Sequence, residues 1–309
     1  MEPSRQRERA GFLFALASAA LLAAVILIAK TLLRTMTPWV FTAYFFLVGA
    51  VAYPPYFLAR RDALAFRPAA GAVRAGAVIG LCDVGYTLGY FHGLQQLNPA
   101  VAAFLGHTGE VLATLFGLIF LREAMSRAEL RGMGLALAGL ALVTARFEGA
   151  SGSGVGSMLV AAVFFAVNAI LIKRYTRRYD PIHLSFYRTV VLAAAMLALS
   201  ASVLGIRAPR SNEWPLLLAA GVLGPFLNYL CFFSALARLE VSRVNVIRVS
   251  YSVLVLAGTI TLYGQVPTTR QIVGGLGVVA GIVWMLYARS RALSPPARTS
   301  GPDGPVARR

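Results

Sequence analysis

Five ionisable residues stand inside stretches that are otherwise apolar: Asp83, His107, Glu110, Arg188 and Arg248. At bilayer depth each such group costs about 2.5 to 3.5 kcal/mol on insertion scales, so each needs a partner or a wet cavity. With His107 neutral, the carboxylates and guanidiniums cancel. Two readings stand open. The groups form permanent buried ion pairs that fix a bundle, or they line a pathway and bind a ligand with both an acidic and a basic group, since the guanidinium fork suits a carboxylate.

The spacing places these residues on helix faces. His107, Glu110, Thr114 and Gly117 follow steps of three and four, which makes one polar stripe down an apolar helix. Asp83, Thr87 and Tyr90 make a second stripe, and Asn245, Arg248, Ser252 and Thr259 a third, while Arg188, Asn168 and Asn228 add single polar groups to further apolar stretches. The candidate substrate-binding residues are therefore Arg188, Arg248, Asp83, Tyr90, Asn168, Asn228, Asn245 and Ser252. Glu110 with His107 is the candidate proton-coupling site, because an apolar-site carboxylate and an imidazole are the groups able to exchange a proton near neutral pH. Arg188 lies seven residues beyond Pro181 and Arg248 seven beyond Val241, which puts both about 10 Å in from the same membrane edge at 1.5 Å per residue.

The elements that must carry these residues follow from composition. Of 309 residues, 58% are hydrophobic and 13% charged, far from the average of a soluble domain. A spanning helix needs about 20 mostly apolar residues. Ten stretches qualify, near 11–30, 38–58, 71–95, 98–121, 130–147, 155–173, 181–204, 214–237, 241–263 and 271–288. The runs are too long for barrel strands and lack their alternation. The opening run, behind Arg5, Arg7 and Arg9, continues unbroken to Ala29 and reads as a retained first helix. Cys82 and Cys231 fall in separate stretches and read as packing residues.

The chain repeats itself. Adding 143 carries Lys30 to Lys173, Pro38 to Pro181 and Tyr44 to Tyr187, and adding 142 carries Leu97 to Leu239, Gly132 to Gly274 and Gly139 to Gly281. The expected fold is an all-α membrane protein of ten transmembrane helices in two five-helix repeats, residues 1–150 and 151–291, with a disordered tail at 292–309. An odd number of spans per unit inverts the second unit, an organisation associated with membrane transporters. Arg60, Arg61 and Arg67, Arg122, Arg127 and Arg131, and Lys173, Arg174, Arg177 and Arg178 cluster in loops on one side, so both termini are expected in the cytoplasm of a cell with this chain in its inner or plasma membrane. That asymmetry accounts for the net charge of +17 without nucleic acid, and the basic edge suits a lipid bilayer. Gly85, Gly89 and Gly93, and Gly277 with Gly281, predict close helix packing.

Several chemistries are not supported. No GxxxxGK[ST] phosphate loop occurs. One histidine and two carboxylates on two helices make a thin metal site, and no nucleophile but Thr114 stands at helical spacing beside His107 and Glu110. No catalytic residue, metal or cofactor is expected, and the chain does not read as an enzyme.

The segments LIFLREAMSRAELRGMGLALAGLALV at 118–143 and LYGQVPTTRQIVGGLGVVAGIVWM at 262–285 resemble the closing part of the EamA domains of the drug/metabolite transporter superfamily, Glu123 and Gly132 matching the family's loop glutamate and helix glycine. The resemblance covers nearly the whole chain. It departs at Gln265, where the second glutamate is expected. It implies a ten-helix carrier with alternating access that moves small metabolites, often outward, by exchange or ion coupling. An amino acid-like zwitterion is the favoured small-molecule substrate. The alternatives are an anionic metabolite, such as an organophosphate or carboxylate, or a non-transporting lipid-handling or scaffold protein. Monomer and homodimer are both compatible with this reading.

Overall fold

The computed structural model describes residues 2–62, 70–121, 126–144, 151–176, 178–236, 238, 244 and 247–293. They form α1 (Glu2–Leu32), α2 (Pro38–Ala59), α3 (Ala70–Gln96), α4 (Pro99–Gly106), α5 (Thr108–Leu121), α6 (Arg127–Thr144), α7 (Gly152–Tyr175), α8 (Pro181–Leu199), α9 (Trp214–Gly221), α10 (Tyr229–Leu236), α11 (Tyr251–Tyr263) and α12 (Thr269–Leu293). Short π-helical stretches extend α8 (Ser200–Leu204) and join α9 to α10 (Val222–Asn228). Of the tail expected to be disordered at 292–309, Ala292 and Leu293 instead continue the last helix, and the rest, with Glu123 and Asn245, lies outside the described residues. The protein is an all-α, polytopic membrane protein.

Sequence chemistry sets where helices begin. Pro38, Pro99 and Pro181 sit in first turns, where a missing N–H costs nothing. Asn98 accepts from the Ala100 N–H, and Asp180 from those of Ile182 and His183. Ser126 and Glu129 form a reciprocal capping box at the start of α6, the Ser126 N–H reaching Glu129 Oε2 at 2.7 Å. Adding 142 gives Thr268 and Gln271, which form the same box at the start of α12.

Five helical stretches, 6–32, 38–59, 152–172, 181–202 and 214–235, are long and apolar enough to cross a membrane by themselves, and 247–263 and 269–285 are shorter apolar helices. Leu58 and Leu262 face outward at 68% and 69% exposure, as side chains in lipid would. The fourth predicted span is not one helix. It turns at His107, between α4 and α5, and its repeat counterpart turns at Ser250, just before α11. In the eighth span Pro225 has no N–H to give and the backbone winds as a π-helix around it.

The repeats clasp each other through glycine. A Cβ on Gly132 would lie 2.8 Å from the Gly281 carbonyl, and one on Gly139 would lie 2.5 Å from that of Gly274. Since Gly274 and Gly281 are the repeat equivalents of Gly132 and Gly139, each glycine packs against the equivalent of the other. That pattern requires α6 and α12 to run antiparallel about a local two-fold axis, which is the inversion expected from the sequence. The Gly85, Gly89 and Gly93 stripe of α3 receives α7 at Phe164, Ala161 and Met158. One apolar core then draws on both repeats, with Ile26, Phe41, Leu94, Leu105, Met158, Met196 and Val255 all buried in it.

Two polar clamps secure the face opposite the basic loops. Lys30 Nζ donates to the carbonyls of Leu94, Gln95 and Leu97 at 2.7 to 2.9 Å and so closes the C-terminal end of α3. Glu213 accepts two hydrogen bonds from Arg207, one from the Thr35 hydroxyl and one from the Arg210 N–H, tying the α1–α2 turn to the loop before α9. The Arg207 bonds, aided by those of Arg210 and Thr35, outweigh desolvation and hold the Glu213 carboxyl at about 2.

Gly281→Val should lower the melting temperature of detergent-solubilised protein, at a cost of about 1 to 3 kcal/mol or more, because its Cβ would stand 2.4 Å from the Ala136 nitrogen. Gly134→Ala, with nothing within 4 Å, should leave the melt within about 1 kcal/mol of the parent. A depressed carboxyl stabilises above the ordinary carboxylate range and loses its contribution as pH falls through its own value. Glu213→Gln should therefore melt below the parent at pH 7, and melts at decreasing pH should show the gap closing towards about pH 2.

Candidate functional site

Asp83, Arg188 and Asn168 meet in the interior, at 1%, 5% and 5% exposure. The meeting depends on glycine. Gly76 and Gly80 of α3 admit the α8 backbone so closely that a Cβ on Gly80 would lie 2.9 Å from the Arg188 carbonyl. From there Arg188 Nε donates to one Asp83 oxygen, while Asn168 Nδ2 of α7 donates to the other. The guanidinium lies over the Tyr229 ring of α10, 4.7 Å from its centroid. Four helices from both repeats thus share one polar contact. Two buried atoms in it have no hydrogen-bond partner among the described residues: Arg188 Nη1, a donor, and Asn168 Oδ1, an acceptor. A void of about 20 Å³ lined by Arg188, Ser185 and Tyr229 adjoins the guanidinium, room for about one water.

The second cluster forms where the fourth span turns. His107 is fully buried, and its Nε2 lies 2.6 Å from Ser252 Oγ of α11. Its ring stands 4.9 Å from that of Tyr251, whose hydroxyl donates to the Ala103 carbonyl. Tyr90 closes over the same turn, within 3.4 Å of where a Gly106 Cβ would be, and its ring lies 5.8 Å from that of Tyr86. Thr108 Oγ1 is buried beside the turn and has no partner among the described residues. One helical turn before Ser252, Arg248 lies 4.2 Å over the Phe232 ring, and its Nε is buried without a described partner.

Of the residues predicted for the site, Asp83, Arg188 and Asn168 are joined directly, and His107, Ser252 and Tyr90 gather at the helix turn. Arg248 stands with Phe232. Asn228 faces elsewhere: it accepts from the Ser18 hydroxyl of α1 at 2.7 Å and knots that helix to the π-helical stretch. The backbone of Glu110 lies in α5, but its side chain, like that of Thr114, is outside what the structure describes. Sequence reasoning missed Tyr229, Phe232, Tyr86, Tyr251 and Thr108. The tyrosine pair at 86 and 90 carried a readable i, i+4 signal, and Tyr229 and Phe232 carried an i, i+3 one, but aromatic residues in an apolar span look like packing.

The polar contact is not symmetric. The repeat equivalent of Asp83 is Pro225 and that of Arg188 is Phe45, and there a phenyl ring packs on Gly224. A wider recess of about 380 Å³ opens on the face that bears Lys30, Gln96, Asn98, Gln265 and Gln271.

The profile of the EamA-like transporter family matches residues 9–145 and 152–287. The chain is 26% identical over 207 residues to the pseudopaline exporter CntI of Pseudomonas aeruginosa strain UCBPP-PA14, spanning 67% of this chain and 72% of that protein. It is 26% identical over 136 residues to the uncharacterized inner membrane transporter YhbE of Escherichia coli K12, spanning 43% and 42% respectively. A solved structure, described only as the crystal structure of a protein, superposes with a TM-score of 0.67 at 21% identity over 92% of this chain and 99% of the other, a likeness of fold.

Asp83→Asn should leave a buried guanidinium without its counter-charge and destabilise the protein by about 3 to 5 kcal/mol, read as a fall in melting temperature. Asp83→Leu combined with Arg188→Met should recover part of that loss, since removing both charges removes the desolvation penalty as well.

Proposed function

Because this chain belongs to the EamA-like transporter family, and is a membrane transporter of small molecules, we propose that it exports an amino acid-like zwitterion. The observation that carries the reading is the pair of unmatched atoms flanking Asp83. Arg188 Nη1 offers a donor to a carboxylate, and Asn168 Oδ1 offers an acceptor to an ammonium N–H. Buried polar atoms are ordinarily matched, and an orphan donor and an orphan acceptor on one cluster complement a ligand that brings both. A space of one water beside Arg188 does not admit such a ligand, so α3 and α8 part to receive it and close afterwards. That cycle is alternating access across the repeat interface. The name of the relative CntI, an exporter, supports outward flux, and the basic loops support a cytoplasmic location for both termini.

Coupling falls to the helix turn. His107 bridges from the first repeat to Ser252 of the second, so a change in its proton content alters a contact between the moving halves. Glu110, in the first turn of α5, exchanges a proton for substrate together with it. The second reading, an anionic cargo, is favoured by one observation: Asp83 is already committed to Arg188.

Proteoliposomes test both roles. Arg188→Gln should weaken binding of zwitterionic amino acids by about 10- to 100-fold, the worth of a charged hydrogen bond. Unchanged affinity rejects the assignment. Glu110→Gln should abolish flux driven by a proton gradient while counterflow exchange persists, and full gradient-driven flux in that variant rejects the coupling role.

A further inference from the structure

Tyr229 and Phe232 lie three residues apart on α10, so their rings rise from neighbouring positions of one helix face. Arg188 is seated on the first ring and Arg248 on the second, at 4.7 and 4.2 Å from the centroids. The two guanidiniums are therefore seated on rings that lie about one helical turn apart along α10. They differ in their counter-charges. Arg188 is neutralised by Asp83, whereas no ion pair joins Arg248 to a carboxylate among the described residues.

A ring face offsets only part of the cost of holding a guanidinium in a dry interior. Arg248 Nε, buried and without a described partner, leaves a charged N–H donor available to an anion. From these observations we infer that Arg248, positioned by Phe232, is a second anion-recognition point, and that the preferred cargo is an amino acid-like zwitterion bearing an additional carboxylate. This rests on the zwitterion reading above and narrows it: Arg188 takes the carboxylate next to the ammonium group, and Arg248 takes the one on the side chain. Ser252, four residues after Arg248 and across the turn at Ser250, holds His107, so the second carboxylate docks near the coupling residue's partner in the chain.

Phe232 is a positioning residue here. Its ring fixes the plane of the guanidinium, so its loss affects the selective carboxylate rather than the cargo as a whole. Lysine at position 248 would keep the charge and lose the fork, a change that separates charge from geometry.

The test uses the purified full chain and isosteric acid and amide pairs, glutamate with glutamine and aspartate with asparagine, titrated by thermal shift. The parent should bind at least one acid about tenfold or more tightly than its amide, and Arg248→Gln should erase that preference while leaving the amide's affinity unchanged. Phe232→Leu and Arg248→Lys should reduce the preference to intermediate values. Equal binding of acid and amide by the parent overturns this inference and leaves the zwitterion reading standing. Equal loss of both in Arg248→Gln also overturns it, because Arg248 then serves an internal group. Binding of neither set overturns the zwitterion reading and this one with it.

Discussion

Between α3 and α8 a carboxylate and a guanidinium meet in a medium that accepts neither alone. Their contact needs helix backbones close enough for Asp83 to reach Arg188, and Gly76 and Gly80 supply that approach. Once the pair is made, its remaining bonds recruit Asn168 from α7 and its ring contact recruits Tyr229 from α10. The arrangement of four helices is thereby tied to one electrostatic requirement: a charge leaves water only if another comes with it. The apolar surfaces around it discriminate poorly between helix partners, because lipid tails are as apolar as leucine.

The scaffold keeps its two-fold relation where packing is concerned and abandons it where charge is concerned. Capping boxes at Ser126 and Thr268 match, and the glycine crossing of α6 and α12 maps onto itself. In contrast, Asp83 and Arg188 correspond to Pro225 and Phe45. The symmetric frame gives the two repeats equivalent helix starts and one self-matched glycine crossing. The Asp83 and Arg188 pair accordingly has no charged counterpart at the equivalent positions of the other repeat.

Class and repeat were legible because each is a property of many residues. Long apolar runs admit few alternatives in lipid, and a constant offset survives local divergence. The Asp83 and Arg188 pairing was legible as a set of charges requiring partners, though which partners was not. The break at His107 had a local mark, Gly106 and Gly109 on either side of it, which the polar stripe drawn through one continuous helix passed over. Lys30 was legible only as a repeated position at the end of the first apolar run; it is a buried helix clamp at 9% exposure, because three carbonyls at the end of α3 lie within its reach. Sequence position says which end of a helix a lysine occupies but not which neighbouring helix ends beside it.

The winding around Pro225 has a geometric effect further along the chain. An α-helix advances about 100° per residue, whereas a π-helical stretch takes up an extra residue within its turns. Every side chain after Asn228 is consequently set at a different azimuth from the one an uninterrupted helix beginning at Trp214 would assign it. Tyr229 and Phe232 meet their arginines at that displaced azimuth. The aim of α10 is thus stored in how seven residues of main chain are coiled ahead of the two rings.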